Sequence, residues 1–288
     1  MGAFHRTPRR LFCLAAVLTA LAVGAPAGWA DEPPSTEAAA AVPGRLLWQD
    51  PFADEPVMPR GWDEPGPGDP PALYGLEDAV GDYSFPEAGV LRVVTRKAED
   101  PGSSHHTMFS VGWGAEAGAV GWVLAFDRAK TYRFTFETLV ERQAPDPKWN
   151  IVFQNKTWPD PGEVANNPTF ALMTREGAWA LDQRGDGKAA VPDKDYMRSA
   201  SAALGPVAYD SWTAWQIDIR FDWEPAGLVR VWRDGTEVWS AVGVRTTYRD
   251  EAPGGANLSF GQYEYYAADS PDWNAVRFRN IAIYELAE

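Results

Sequence analysis

The sequence predicts an all-β protein, an antiparallel sandwich or jelly roll, and three observations predict it. Apolar residues recur with period two far more often than with the 3.6-residue period of a helix. Turn residues, among them 24 Pro and 26 Gly in 288 positions, break the alternating runs at short intervals. No stretch carries a sustained helical stripe, and no repeat of fixed period is visible.

The elements follow in order. Arg6, Arg9 and Arg10 precede the apolar run Leu11 to Val23, and Gly28-Trp29-Ala30 offers a small-x-small cleavage site. Residues 1–30 therefore read as a signal peptide, which predicts a secreted or periplasmic protein. Residues 31–44, with Pro33-Pro34 and an Ala-rich run, read as a linker, and 45–288 as one β domain. No later stretch reaches the roughly 18 apolar residues of a membrane span. Alternation predicts strands over 89–94, 131–136, 215–221 and 276–284. The sharpest local signal is Val229 to Trp239, where Asp234-Gly235 separates two alternating runs. Both turn positions accept positive φ, so a type I′ hairpin is predicted, with Val229 and Val231 on one face and Arg230 and Trp232 on the other.

Composition excludes several functions. The chain carries 26 basic against 40 acidic residues, a net charge of −14, and the predicted leader removes three arginines but no acid. Such a surface repels nucleic-acid backbones and anionic lipid. The one cysteine, Cys13, lies in the leader, so no disulfide, thiol nucleophile or thiolate metal site is expected in the mature protein. No cofactor is implied, and a monomer is expected. Glu137 and Glu141 evoke a glycosidase carboxylate pair, but the Glu-x-Asp-x-x-Glu alternation of jelly-roll glucanases is absent. The Asp-rich run from Asp182 to Gly187 lacks a terminal Glu and is followed by Lys188 and Lys194, so it reads as a solvated turn rather than a calcium loop. Of the 14 tryptophans Trp29 lies in the leader, and those that remain exceed what a core of this size uses. Trp113, Trp149, Trp158 and Trp223, beside Gly, Pro or charged residues, are candidate platforms for a sugar ring, whereas Trp215 and Trp239 read as core.

The last third carries a recognisable series: Tyr209-Asp210-Ser211-Trp212, the strand Trp215 to Phe221, the Asp234-Gly235 hairpin, and Leu258-Ser259-Phe260-Gly261-Gln262-Tyr263. Upstream stand Trp149-Asn150-Ile151-Val152-Phe153-Gln154-Asn155-Lys156 and Pro168-Thr169-Phe170. Together, over about residues 120 to 285, these resemble the heparin-lyase-I-like polysaccharide lyases, which are related to the glucuronan and alginate lyases with a concanavalin A-like β-jelly roll. The resemblance implies β-elimination on a uronate-containing polysaccharide or oligosaccharide. It makes Tyr263 an acid/base and puts Gln154, Asn155 and Lys156 at the substrate. The sequence also departs from the family pattern: Asn155 and Lys156 follow Gln154 where the family has a His, and Ser259 stands where it has a Lys. His105 and His106, the only mature histidines, are candidate replacements for the base, and alternation sends them to opposite faces. A non-catalytic, lectin-like carbohydrate-binding protein is the competing expectation.

Overall fold

Strands with one apolar and one polar face must hide the apolar faces against each other, and two packed sheets are the economical way to do so. The computed structural model describes residues 44–50, 52, 74–77, 81–96, 104–111, 113–116, 119–122, 126–142, 149–156, 167–187, 199–249, 257–265 and 271–287. Their strands are β1 (Gly44–Gln49), β2 (Tyr74–Glu77), β3 (Gly81–Glu87), β4 (Val90–Arg96), β5 (Ser104–Val111), β6 (Trp113–Glu116), β7 (Ala119–Trp122), β8 (Thr131–Val140), β9 (Asn150–Lys156), β10 (Phe170–Arg175), β11 (Ala178–Arg184), β12 (Ser199–Pro206), β13 (Trp212–Arg220), β14 (Gly227–Arg233), β15 (Thr236–Val244), β16 (Asn257–Tyr265) and β17 (Trp273–Leu286). No α-helix occurs among the described residues, so none is long and apolar enough to cross a membrane.

An eight-stranded sheet runs β15-β14-β13-β8-β17-β4-β3, with β1 also on β17, and a seven-stranded sheet runs β12-β11-β10-β9-β16-β5-β2; β6 and β7 form a separate hairpin. Strand pairing is antiparallel throughout, the signature of a jelly-roll sandwich. Phe109, Phe153 and Phe260 from one sheet meet Phe136 and Phe278 from the other. The Phe153 and Phe260 rings lie 4.8 Å apart, and Phe136 meets Phe260 edge-on at 5.3 Å.

The expected β14–β15 hairpin forms, with Asp234 at φ 50° and Gly235 at φ 78°. Val229 and Val231 are buried and Arg230 is exposed, as alternation requires. Trp215 is in the core, its indole edge-on to Trp179 at 4.9 Å and its Nε1 donating to Thr138 Oγ1 at 3.0 Å. Trp239 is half-buried and packs against that core.

On the outer face of the eight-stranded sheet, charges pair off. Arg133 grips Asp218 with two 2.8 Å hydrogen bonds. Glu137 accepts from Arg279 and Asn280, and Glu141 from Arg92 and Arg277. The two carboxylates thus serve ion pairs and not a hydrolytic pair.

Candidate active site

The outer face of the seven-stranded sheet holds the candidate site, and its central strand β9 is buried on both sides. One face of β9 feeds the core through Phe153. The other sets Ile151 in a small apolar floor with Met108, Ala171 and Met173, against which Trp149 and Tyr263 pack.

Two irregularities set up this floor. The register of β9 slips against β10 between Leu172 and Met173, and that of β16 slips against β9 between Phe260 and Tyr263. Gly261, at φ +136°, sits in the second slip, and a Cβ there would come within 2.7 Å of Met108 Cα. Only glycine accepts both the conformation and the close approach. Just beyond it, Gln262 turns inward. Its Nε2 donates to the Val93 and Asn274 carbonyls at 2.9 and 3.0 Å, and its Oε1 accepts from Asn150 Nδ2 at 3.1 Å. By alternation Tyr263 then faces outward, half-buried, with the Trp149 ring edge-on at 5.1 Å.

Tyr263 and Trp149 line a cavity of about 310 Å³ with Ile151, Met173, Arg175, Asp182 and Arg184. Its electrostatics come from β10 and β11. Arg184 donates to Asp182 at 2.6 Å and to the Pro168 carbonyl at 3.2 Å, while Ser201 donates to the other Asp182 oxygen. Arg175 is exposed, one Nη resting 3.3 Å from Met173 Sδ. Asp182 is therefore fixed by an arginine and a serine in the groove, and the solvated turn expected from Asp182 onward is corrected: Asp182, Gln183 and Arg184 close strand β11, with Asp182 and Gln183 buried.

Sequence-predicted residues divide sharply. Gln154 lies in one cross-strand row with Ser259, Ala171, Asp182 and Ser201. Its Nε2 makes only a 3.5 Å contact to Met108 Sδ, and its buried Oε1 accepts no hydrogen bond. Its row puts Gln154 on the face of the groove, but it is 3% exposed and not among the residues that line the cavity. Asn155 is not at the groove. It is 1% exposed and sits opposite Phe170 and Leu258 of the core, because period two sends neighbours to opposite faces. Lys156, half-buried at the end of β9, returns to the Gln154 face.

The register also separates the histidines. His106 is directly across from Tyr263, and His105 across from Glu264. Glu264 is fully buried and accepts from Asn274 Nδ2 at 2.9 Å, so position 106, not 105, falls on the Tyr263 face. Of the tryptophans, Trp149 lines the cavity. Trp223 does not: it follows β13, and the Arg128 guanidinium covers its ring at 4.0 Å, itself anchored on Asp222. One face of its indole is thus covered, and it stands apart from the cavity that Trp149 lines. Trp113 lies across from Trp122 in the β6–β7 hairpin, and Trp158 falls outside the described residues. Arg175, Asp182 and Arg184 were not among the expected substrate contacts. Alternation along β11 sets Asp182 and Arg184 on one face, but only the strand order brings that face to the cavity.

Comparison with known proteins agrees with this fold. The polysaccharide lyase family model matches residues 82–276. Among solved structures, the endo-β-1,4-glucuronan lyase of the fungus Trichoderma reesei aligns over 73% of this chain and 89% of its own, at 14% identity and a TM-score of 0.60. Alginate lyase A1-II', a member of polysaccharide lyase family 7, aligns over 74% and 86%, at 11% identity and a TM-score of 0.50. At these identities the likenesses establish the jelly-roll fold. No curated protein matches the sequence. With two thirds of its length inside the family model and its strands in the lyase arrangement, the chain belongs to the polysaccharide lyase family.

Proposed function

We propose that the protein is an exported lyase that cleaves a uronate-containing polysaccharide by β-elimination in the groove of the seven-stranded sheet. The observation that carries this reading is Tyr263 on the wall of a cavity whose other polar groups include Arg175 and Arg184. Elimination removes the C5 proton of a uronate and breaks the bond from C4 to the glycosidic oxygen. The electron pair becomes a C4–C5 double bond, and the leaving oxygen takes up a proton. The C5 proton is acidic enough only when the adjacent carboxylate is neutralised. Arg175 and the Gln154 amide supply that neutralisation, and Trp149 carries the apolar face of the ring. Tyr263 protonates the leaving oxygen, and His106, across from it in register, is the base. Lys156 stands where the family has a histidine and adds positive charge to the same face.

The preferred substrate is a uronate polymer without sulfate, such as the glucuronan or alginate named for the two structural relatives. The resemblance to heparin-lyase-I-like enzymes supports the chemistry. The net charge of −14 opposes a heavily sulfated polyanion.

The test is the ultraviolet absorbance of the unsaturated uronate product, with purified protein lacking residues 1–30, on glucuronan, alginate, heparan sulfate and heparin. Tyr263→Phe should lower the rate about 10²–10⁴-fold, the range for losing an acid/base group, while the melting temperature holds. A flat trace on every polymer, with binding to one still measurable, would replace this reading with carbohydrate binding alone. Mass spectrometry of the exported protein checks the leader: cleavage after Ala30 is expected.

A further inference from the structure

The outer face of the eight-stranded sheet carries an aromatic and cationic surface for which the elimination reaction has no use. In the β4–β17 ladder Arg92 is directly opposite Arg277, a like-charged pair that repels when left alone. Glu141 holds the two together. It accepts from Arg92 at 2.6 and 2.7 Å and from Arg277 at 2.9 Å. One carboxylate between two guanidiniums leaves a positive excess, and the two side chains remain 25% and 32% exposed.

Trp273, half-buried at the start of β17, rises between two shallow depressions. The first, about 240 Å³, is shared with Arg92 and Arg96; the second, about 380 Å³, with Arg142 and Arg277. The Arg92 guanidinium stands 5.5 Å from the Trp273 ring centre. By contrast, Arg279 closes over Trp212 on the same face at 4.0 Å. Among the described residues that line the two depressions are four arginines and two carboxylates; Arg142 is taken up by Asp210 at 3.1 Å and Arg96 has an interaction of its own, so the excess rests on Arg92 and Arg277 sharing Glu141. In a chain of net charge −14 such a local excess decides where a polyanion can touch. An indole flanked by guanidiniums offers the two contacts a uronate needs. The ring's apolar face packs on the indole, and the carboxylate takes paired N–H donors.

We infer that Trp273 with Arg92, Arg96 and Arg277 forms an auxiliary binding site for an anionic polysaccharide, on the sheet opposite the groove. The site holds a stretch of polymer while the groove works on another stretch or another chain. The identity of that polymer as a uronate rests on the proposed function; the binding does not rest on catalysis. Because its side chains project from paired strands, the platform exists before the ligand arrives, so little ordering entropy opposes binding.

The experiment is electrophoresis of the protein through native gels containing glucuronan or alginate, alongside turnover of a uronate tetrasaccharide too short to reach both faces. Trp273→Ala and the exposed Arg96→Ala should each weaken retardation about tenfold, the scale of one stacking or cation contact, and leave tetrasaccharide turnover within about twofold, well below the tenfold that 1.4 kcal/mol represents. Tyr263→Phe should keep full retardation while losing turnover. Wild-type retardation by no gel overturns the inference, as does full retardation of both surface variants. Loss of tetrasaccharide turnover in parallel with retardation overturns it too, since the surface would then belong to the fold or the groove. Retardation lost in the surface variants of a wild type with no lyase activity would sustain the auxiliary site and sink the catalytic reading.

Discussion

Gly261→Ala tests the link between backbone and active site. At φ +136° an L-residue is strained, and the new Cβ would press on the Thr107 carbonyl and stand 2.7 Å from Met108 Cα. Both obstacles are backbone of the paired strand β5, so no side-chain rotation relieves them. Strain at such a φ costs about 1–3 kcal/mol, and overpacking a filled site about 1–3 kcal/mol more. The sum, about 4 kcal/mol, is a large part of the 5–15 kcal/mol that ordinarily holds a domain folded. It converts to a fall of roughly 8–16 °C in melting temperature for a domain this large. Gly235→Ala is the internal standard. Its φ is also positive, at +78°, but a Cβ there meets nothing within 4 Å, so only the conformational cost of about 1 kcal/mol applies. Urea unfolding followed by tryptophan fluorescence measures both. If Gly261→Ala costs no more than Gly235→Ala, the close approach of β16 to β5 does not constrain the site, and the account of how Tyr263 is aimed fails with it. The residual folded Gly261→Ala protein should also lose elimination activity, because the slip that turns Gln262 inward and Tyr263 outward would be displaced.

Two further outcomes follow from the faces of the sheets. Gln154→Ala should lower turnover at least about tenfold at unchanged stability, as expected for a group that meets the substrate transition state. Asn155→Ala should instead change unfolding free energy and leave turnover per folded molecule intact; equal kinetic losses would contradict the assignment of Asn155 to the core. Arg92 chiefly, by its hydrogen bonds, and Arg277 with it hold the Glu141 carboxyl below the usual carboxylate range, against the opposing effect of burial. The stabilisation this gives is complete above the unfolded-state value near about 4.3 and drains as pH falls through the lower folded value. Glu141→Gln should therefore be the less stable protein at neutral pH, with the gap narrowing in acid; a pH-independent gap would refute the ionic origin.

The fold was legible where its cause is local. Asp234-Gly235 carries its turn geometry in two residues, and strands such as β8 and β13 alternate strictly because one face is core and the other water. Strand β9 hides its pattern, since it is buried on both faces, and this is why Gln154 and Asn155 looked like one site when period two divides them. The histidines show the same limit. Alternation already required that they part, but which of them accompanies Tyr263 depends on the register of β5 against β16, a pairing across some 150 residues of chain. Arg175, Asp182 and Arg184 reach the cavity through the β9-β10-β11 order, which no local pattern encodes. Trp223 shows another limit: a tryptophan beside charged residues can have one of them laid over its ring, as Arg128 is here, and local sequence does not say so.

The order of strands has a consequence for how the chain assembles. β16 lies between β9 and β5 in one sheet, and β17 between β8 and β4 in the other. Before residues 257–286 arrive, each sheet exists only as two unjoined halves. The join is also distant in sequence, with Leu46 of β1 paired to Tyr284 of β17. Such high contact order makes folding slow, and it makes the decisive step the arrival of a single stretch of chain that zips both layers together. Without β16 and β17 each sheet would present unpaired edges at its middle, and the groove with its tyrosine comes into being only when these two strands are in place.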